Sequence, residues 1–189
     1  MLAIVCLATS CAPATRWHGT DISGSVPTLR FTMTRARDHK LVTEADYRGK
    51  VTLLYFGYTF CPDACPTTLS NVSQALRQLG PAASDVRVLF VTVDPDRDTL
   101  PVLKRYGDAF GEQIDTLGGD PNELAALARR YRVAYSVTPA STTQPYEVTH
   151  SSGIYAFDRR GAPRLLISSL STDKPDVAGT GDDLRALLR

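Results

Sequence analysis

Two continuous apolar runs constrain this chain more than any other feature. Val51 to Tyr58 reads VTLLYFGY, and Val86 to Val93 reads VRVLFVTV. Neither alternates apolar with polar residues, as a strand with one wet face would, and both are rich in β-branched and aromatic side chains. Such runs mark strands covered on both sides, and sheets of that kind carry helices on their faces. The stretch between them supplies a helix. After Cys61–Pro66, the residues Leu69, Val72, Ala75, Leu76 and Leu79 recur at helical spacing, and Gly80-Pro81 ends the pattern. A length of 189 residues with 43% hydrophobic side chains suits one such domain and is too short for two large ones. That composition excludes a disordered chain. The 21 Lys and Arg against 20 Asp and Glu give a formal charge of +1 without a basic stripe, which argues against nucleic acid as a partner.

The remaining patterns complete an α/β order. Leu29, Phe31 and Met33 alternate with polar residues, Arg37-Asp38-His39-Lys40 reads as a turn, and Leu41-Val42-Thr43 returns, which predicts a β-hairpin ahead of the main fold. Asp98 is placed to cap a helix over Thr99 to Phe110. Thr116-Leu117-Gly118 reads as a short strand. Asp120-Pro121-Asn122-Glu123 opens a helix whose apolar face is Leu124, Leu127, Ala128 and Tyr131. Ser136 to Pro145 reads as a polar loop. Gly153–Phe157 and Arg164–Ile167 flank the turn Asp158-Arg159-Arg160-Gly161, and Asp182-Asp183 opens a last short helix. Strands alternating with helices, then a hairpin and a helix, match a thioredoxin-like α/β fold with a mixed central sheet flanked by helices.

The four cysteines fall into two groups. Cys6 and Cys11 lie in the apolar stretch Met1–Ala14, too short to span a bilayer. Residues 1–11 read as an export or lipoprotein-type signal, with Leu7-Ala8-Thr9-Ser10-Cys11 resembling a bacterial lipobox and Cys11 as the lipid-bearing residue. Residues 12–25 read as a tether and 26–189 as the folded domain. This grammar places the domain in the bacterial periplasm or cell envelope, tethered to the membrane.

The second pair carries the chemistry. Cys61 and Cys65 stand four apart in Tyr58-Thr59-Phe60-Cys61-Pro62-Asp63-Ala64-Cys65-Pro66, at a strand-to-helix junction. Residues so spaced share one face of a helical turn. A helix N-terminus favours the thiolate and lowers thiol pKa, while Asp63 between the two cysteines works against this and leaves the size of the effect unread. The spacing exceeds the Cys-x-x-Cys of common thiol oxidoreductases by one residue. A peroxidase Thr-x-x-Cys is missing, because Tyr58 and Pro62 stand three before the two cysteines. Zinc normally takes four ligands. Two thiolates with one imidazole suit Cu(I), which is soft and accepts low coordination. Of the three histidines, His18 falls in the tether and His39 in a charged turn. His150 precedes the strand Gly153–Phe157 and falls near the first helix of a thioredoxin-like sheet, which makes it the candidate third ligand. The run Asp94-Pro95-Asp96-Arg97-Asp98 does not continue as a calcium loop, since Thr99 and Arg105 stand where Gly and Glu are required. It reads as a strand-end turn and helix cap.

At this point the chain resembles the Sco/SenC family of copper-binding proteins. The features that carry the resemblance are Gly49-Lys50, Leu53–Tyr58, Cys61–Leu69, Leu89–Thr99 and His150, in that order, within about Asp21 to Gly161. The resemblance implies a thioredoxin-like domain outside the cytoplasmic membrane, with copper held by Cys61, Cys65 and His150. It implies assembly of the binuclear copper centre of cytochrome c oxidase. The partners would be the copper-bearing subunit of that oxidase and other periplasmic copper chaperones or thiol reductants. The alternative role is a thiol–disulfide oxidoreductase that uses Cys61 and Cys65 as its redox pair and keeps the target cysteines reduced. Copper or redox sensing would use the same residues. Two positions depart from the family's frequent pattern: Phe60 replaces a His before the first motif cysteine, and Thr149 replaces an Asp before His150.

Overall fold

The computed structural model describes residues 16–189. The expected signal segment, with Cys6 and Cys11, and the first residues of the expected tether lie outside the described residues. Eight strands form one sheet in the order β1-β10-β9-β4-β5-β6-β2-β3. They are β1 Thr20–Asp21, β2 Thr32–Arg35, β3 Lys40–Thr43, β4 Val51–Gly57, β5 Val86–Thr92, β6 Ile114–Gly118, β9 Ile154–Phe157 and β10 Pro163–Ile167; β7 Tyr135–Thr138 and β8 Glu147–His150 form a separate hairpin. The helices are α1 Ala64–Arg77, α2 Leu100–Asp108, α3 Pro121–Arg130 and α4 Val177–Leu188.

The two apolar runs are the central strands. β4 and β5 pair in parallel from Val51↔Val86 to Gly57↔Thr92, β6 extends the pairing in parallel, and β9 runs antiparallel along the other side of β4. Alternate residues then enter different cores. Leu53, Tyr55, Val88 and Phe90 pack with Leu69, Val72 and Leu76 of α1, Leu103 of α2 and Leu184 of α4. Leu54, Phe56, Leu89 and Val91 pack with Leu124 and Leu127 of α3 and with Leu29 and Phe31. Both faces are therefore dry, and this is why the two runs show no polar alternation. The topology is the thioredoxin-like α/β arrangement the sequence predicts.

Five local features differ from the sequence reading, the first being α4, which starts at Val177 with Asp176 as its cap rather than at Asp182-Asp183. The early hairpin is not a separate element ahead of the fold: β2 pairs with β6 through Thr34↔Gly118 and extends the main sheet. Part of the expected tether is an edge strand, with Thr20 opposite Leu166 of β10, and the Asp183 carboxylate accepts the backbone N–H groups of His18 and Gly19. The expected polar loop from Ser136 to Pro145 instead opens with β7, paired to β8 from Tyr135↔His150 to Thr138↔Glu147. Its alternation is short, and the Ser/Thr/Pro run between the strands hides it. Finally, the α2 cap position is Thr99 rather than Asp98, which is buried and engaged elsewhere.

The sheet delivers its site at the carboxyl end of β4, where the chain leaves Gly57 and turns into α1. A β-carbon at Gly57 would lie 2.6 Å from the Phe90 ring and 3.0 Å from Cys65 Sγ. Only glycine lets the strand end, the Phe90 ring and the cysteine sulfur share this space. We expect Gly57→Ala to lower stability by about 1–3 kcal/mol through overpacking. Urea unfolding followed by circular dichroism checks this, and an unchanged midpoint with an unchanged slope would refute it.

Candidate metal centre

The Cys61 segment is anchored by a buried carboxylate. Asp98 Oδ2 accepts from the Thr59 backbone N–H at 2.9 Å and from the Thr92 hydroxyl at 2.6 Å, while Oδ1 accepts from the Thr59 hydroxyl at 2.5 Å. Burial pushes the Asp98 carboxyl above the usual range, and its hydrogen bonds oppose that shift. Sequence reasoning assigned Asp98 to a helix cap. Nothing local distinguishes a capping Asp from one that reaches back to the strand before it, since Thr59 is 39 residues away.

From Thr59 the chain passes Cys61, whose backbone N–H donates to the Tyr58 carbonyl at 3.3 Å, and enters α1. Asp63 stands at the N-cap without bonding a backbone N–H; its carboxylate accepts the Thr67 hydroxyl instead. The Cys65 backbone N–H therefore donates to Cys61 Sγ, at 3.3 Å. The helix N-terminus thus places a donor on the first sulfur, as the motif's position predicts.

Cys65 differs. It is fully buried, and burial pushes its thiol up to about 12, with the neighbouring Cys61 adding to the rise and a hydrogen bond to the Tyr58 backbone opposing it. The lowered pKa expected from the helix terminus is not realised here. The physical reason is magnitude. Desolvation shifts a buried group by up to about 3–5 pKa units, whereas a helix dipole is worth about 0.3–1 kcal/mol, under one unit.

The third residue arrives from the hairpin. His150 ends β8, and its Nε2 lies 3.3 Å from Cys65 Sγ, across 85 residues of chain. Its Nδ1 lies 3.0 Å from the Ser151 carbonyl oxygen. A carbonyl only accepts, so Nδ1 carries the proton and Nε2 turns its lone pair to the thiol. Burial holds His150 below the ordinary imidazole range, against the Ser151 hydrogen bond, so the ring is neutral at pH 7. The rings of Tyr58 and Tyr55 meet it edge-on, with centroids 5.9 and 6.2 Å away. Thr149 points to the other side of the strand and bonds Ser136 at 2.8 Å, so its departure from the family pattern leaves the imidazole's own contacts untouched.

Cys61 and Cys65 are free thiols. Among the described residues no three Cys, His, Asp or Glu side chains already surround one point as ligands would. The Cys65–His150 pair is formed, and Cys61 stands beside it on the same helical turn. Two thiols and a neutral imidazole are a soft donor set that fits Cu(I). The Tyr55 hydroxyl is buried with Thr68 and Cys65 as its polar neighbours, and among the described residues no group stands in hydrogen-bond geometry to it. It is available to a Cys65 thiolate, and sequence reasoning, which read Tyr55 as core, missed it. The other histidines are remote in role: His39 lies in the exposed β2–β3 turn, and His18 sits 3.1 Å from Asp176 at the α4 cap.

A cysteine pair where the central strand of a thioredoxin-like sheet meets its helix, with an imidazole on the second sulfur, is an arrangement suited to thiol and soft-metal chemistry. The SCO1/SenC family model matches residues 24–180, and the chain belongs to that family. It is 43% identical over 120 residues to the mitochondrial SCO2 homolog of Bos taurus, a match covering 62% of this chain and 45% of that protein. The chain spans about half the length of the curated relatives it matches. Among solved structures it is similar to copper-bound ScoI of Bradyrhizobium japonicum, with 36% identity, a TM-score of 0.74, and 85% of this chain and 99% of that chain covered. It is also similar to apo Sco1 of Thermus thermophilus, with 31% identity, a TM-score of 0.78, and 94% and 100% covered.

Two outcomes follow from the site. With iodoacetamide on reduced, metal-free protein at pH 8, Cys61 should alkylate first, because a thiol at about 12 is ionised to roughly one part in 10⁴ there. Peptide mass spectrometry reads the order, and equal rates would contradict the buried Cys65. Asp98→Ala should cost about 2 kcal/mol by leaving its donors without an acceptor, measured by chemical denaturation.

Proposed function

We propose that this chain is a copper metallochaperone, in which Cys61, Cys65 and His150 bind one copper as cargo and a docking partner removes it by ligand exchange. The observation that carries the reading is the 3.3 Å approach of His150 Nε2 to Cys65 Sγ. A buried protonated thiol facing a neutral imidazole exchanges its proton for a soft cation without leaving an uncompensated charge. The Tyr55 hydroxyl would then donate to the thiolate formed. Copper-bound structures of relatives from Bradyrhizobium japonicum, Arabidopsis thaliana and yeast support copper as the cargo. The destination, the binuclear copper centre of cytochrome c oxidase, rests on the family resemblance. The same resemblance, with the lipobox-like Cys11, supports an envelope location and a lipid tether. None of the helices among the described residues is long and apolar enough to cross a membrane.

One observation favours a second role on the same residues. Cys61 is part-exposed while Cys65 is buried, the asymmetry of an attacking and a resolving thiol. The Cys61 thiolate would attack a partner disulfide, forming a mixed disulfide and releasing one partner thiol. The Cys65 thiolate would then attack Cys61 Sγ, releasing the second partner thiol and leaving a Cys61–Cys65 disulfide. The partner is reduced by the two electrons this pair gives up.

Titration of reduced protein with Cu(I) against a competing chelator separates the roles. The expected result is tight one-to-one binding that weakens by about tenfold or more in His150→Ala and is largely lost in Cys65→Ser. Binding indifferent to both substitutions would overturn the chaperone reading. Reduction of a partner disulfide by metal-free protein, unaffected by His150→Ala, would establish the second role.

A further inference from the structure

The hairpin that carries His150 lies outside the eight-stranded sheet. A two-stranded hairpin is marginal in water on its own, so its position depends on what grips it. Val148 and Tyr135 pack against the α3-side core. The other grip comes from the turn after β5. The Arg97 Nε–H donates to Asp94 Oδ2 at 2.5 Å, and the Tyr146 hydroxyl donates to Asp94 Oδ1 at 2.6 Å. Asp94 is 1% exposed, while the Arg97 and Tyr146 side chains that bond it are partly open to water. The guanidinium carbon of Arg97 lies 3.9 Å from the ring centroid of Tyr146, 4.8 Å from that of Phe60 and 5.9 Å from that of Tyr58.

These contacts join three stretches of chain at one guanidinium. Tyr58 and Phe60 belong to the segment that delivers Cys61, Tyr146 stands four residues before His150, and Asp94 is fixed at the end of the central sheet. They also account for Phe60, which is 54% exposed yet packs on Arg97. A flat cation over two aromatic rings, with its charge held by a buried carboxylate, is a directional fastening. A simple ion pair would set distance but not orientation.

We propose that Arg97, with Asp94 and Tyr146, is a positioning residue that straps the β7–β8 hairpin, and through it His150, to the segment that delivers Cys61. The inference rests on the copper reading of the site only for its effect on metal binding; the strap itself is a property of the metal-free protein. Arg97 touches neither sulfur nor imidazole in the contacts described, so it acts on the centre through His150.

Hydrogen exchange of metal-free protein and Cu(I) competition titrations, run on the same variants, test it. Arg97→Ala should speed exchange of the β7–β8 amides by about tenfold and leave α1 and β4 unchanged. It should weaken Cu(I) binding by about tenfold. Tyr146→Phe, which keeps the ring and loses the bond to Asp94, should shift both readouts the same way by less. Because the strap acts through His150, Arg97→Ala should add nothing to the loss already caused by His150→Ala. Hairpin exchange at the wild-type rate in both variants would overturn the strap, and so would an undiminished Arg97→Ala effect on Cu(I) in the His150→Ala background. Should the wild-type protein fail to compete for Cu(I), the copper reading falls. Faster hairpin exchange would still uphold the strap in that case, and unchanged exchange would refute it.

Discussion

The parallel pairing of β4 with β5, dry on both faces, is the constraint on which everything else in this molecule depends. In-register pairing from Val51↔Val86 to Gly57↔Thr92 brings the carboxyl ends of both strands to the same end of the sheet. The chain leaving Gly57 carries the cysteines, and the chain leaving Thr92 carries Asp94, Arg97 and Asp98. Because the two exits are neighbours, Asp98 can accept from Thr59, and Arg97 can stack on Phe60. Sites in open α/β sheets collect at the carboxyl ends of strands for this reason.

Burial decides the chemistry that the site can perform. A helix N-terminus biases nearby thiols toward the anion, and here the Cys65 backbone N–H donates to Cys61 Sγ. At Cys65 the loss of water outweighs it, and the thiol is held protonated. The same burial keeps His150 neutral. The result is a dry pair, thiol and imidazole, beside a wetter cysteine. On the proposed reading, a soft cation would replace the thiol proton there, and the part-exposed Cys61 would give a partner its point of entry. Both proposed roles draw on this gradient of exposure between two cysteines one helical turn apart.

The legible parts of the fold are those whose signal is local and repeated. The central strands announced themselves through apolar continuity, α1 through its leucine spacing, and α3 through Asp120-Pro121. The cysteine motif was legible because its residue types and its strand-to-helix setting are adjacent in sequence. What escaped notice has weak or long-range causes. β7 is a four-residue strand followed by a Ser/Thr/Pro run. α4 starts at Val177, earlier than the acidic pair Asp182-Asp183 suggests, because Asp176 caps it and two glycines blur its period. Asp98 and Tyr55 look like a cap and a core aromatic until the segments they face are known.

By itself, then, the sequence determined the α/β class, the sheet's central strands, the cysteine pair at the strand-to-helix turn, and His150 as the imidazole to consider. Only the tertiary structure decided that His150 faces Cys65 rather than solvent, that Cys65 is the buried thiol, and that Arg97 gathers the two segments that deliver them. The reason is physical. Periodicity and residue type report what a stretch does with its immediate neighbours, whereas a pKa, a lone-pair direction or a cation stacked on two rings depends on groups brought together from distant positions. The burial that joins them is a property of the whole sheet and its helices.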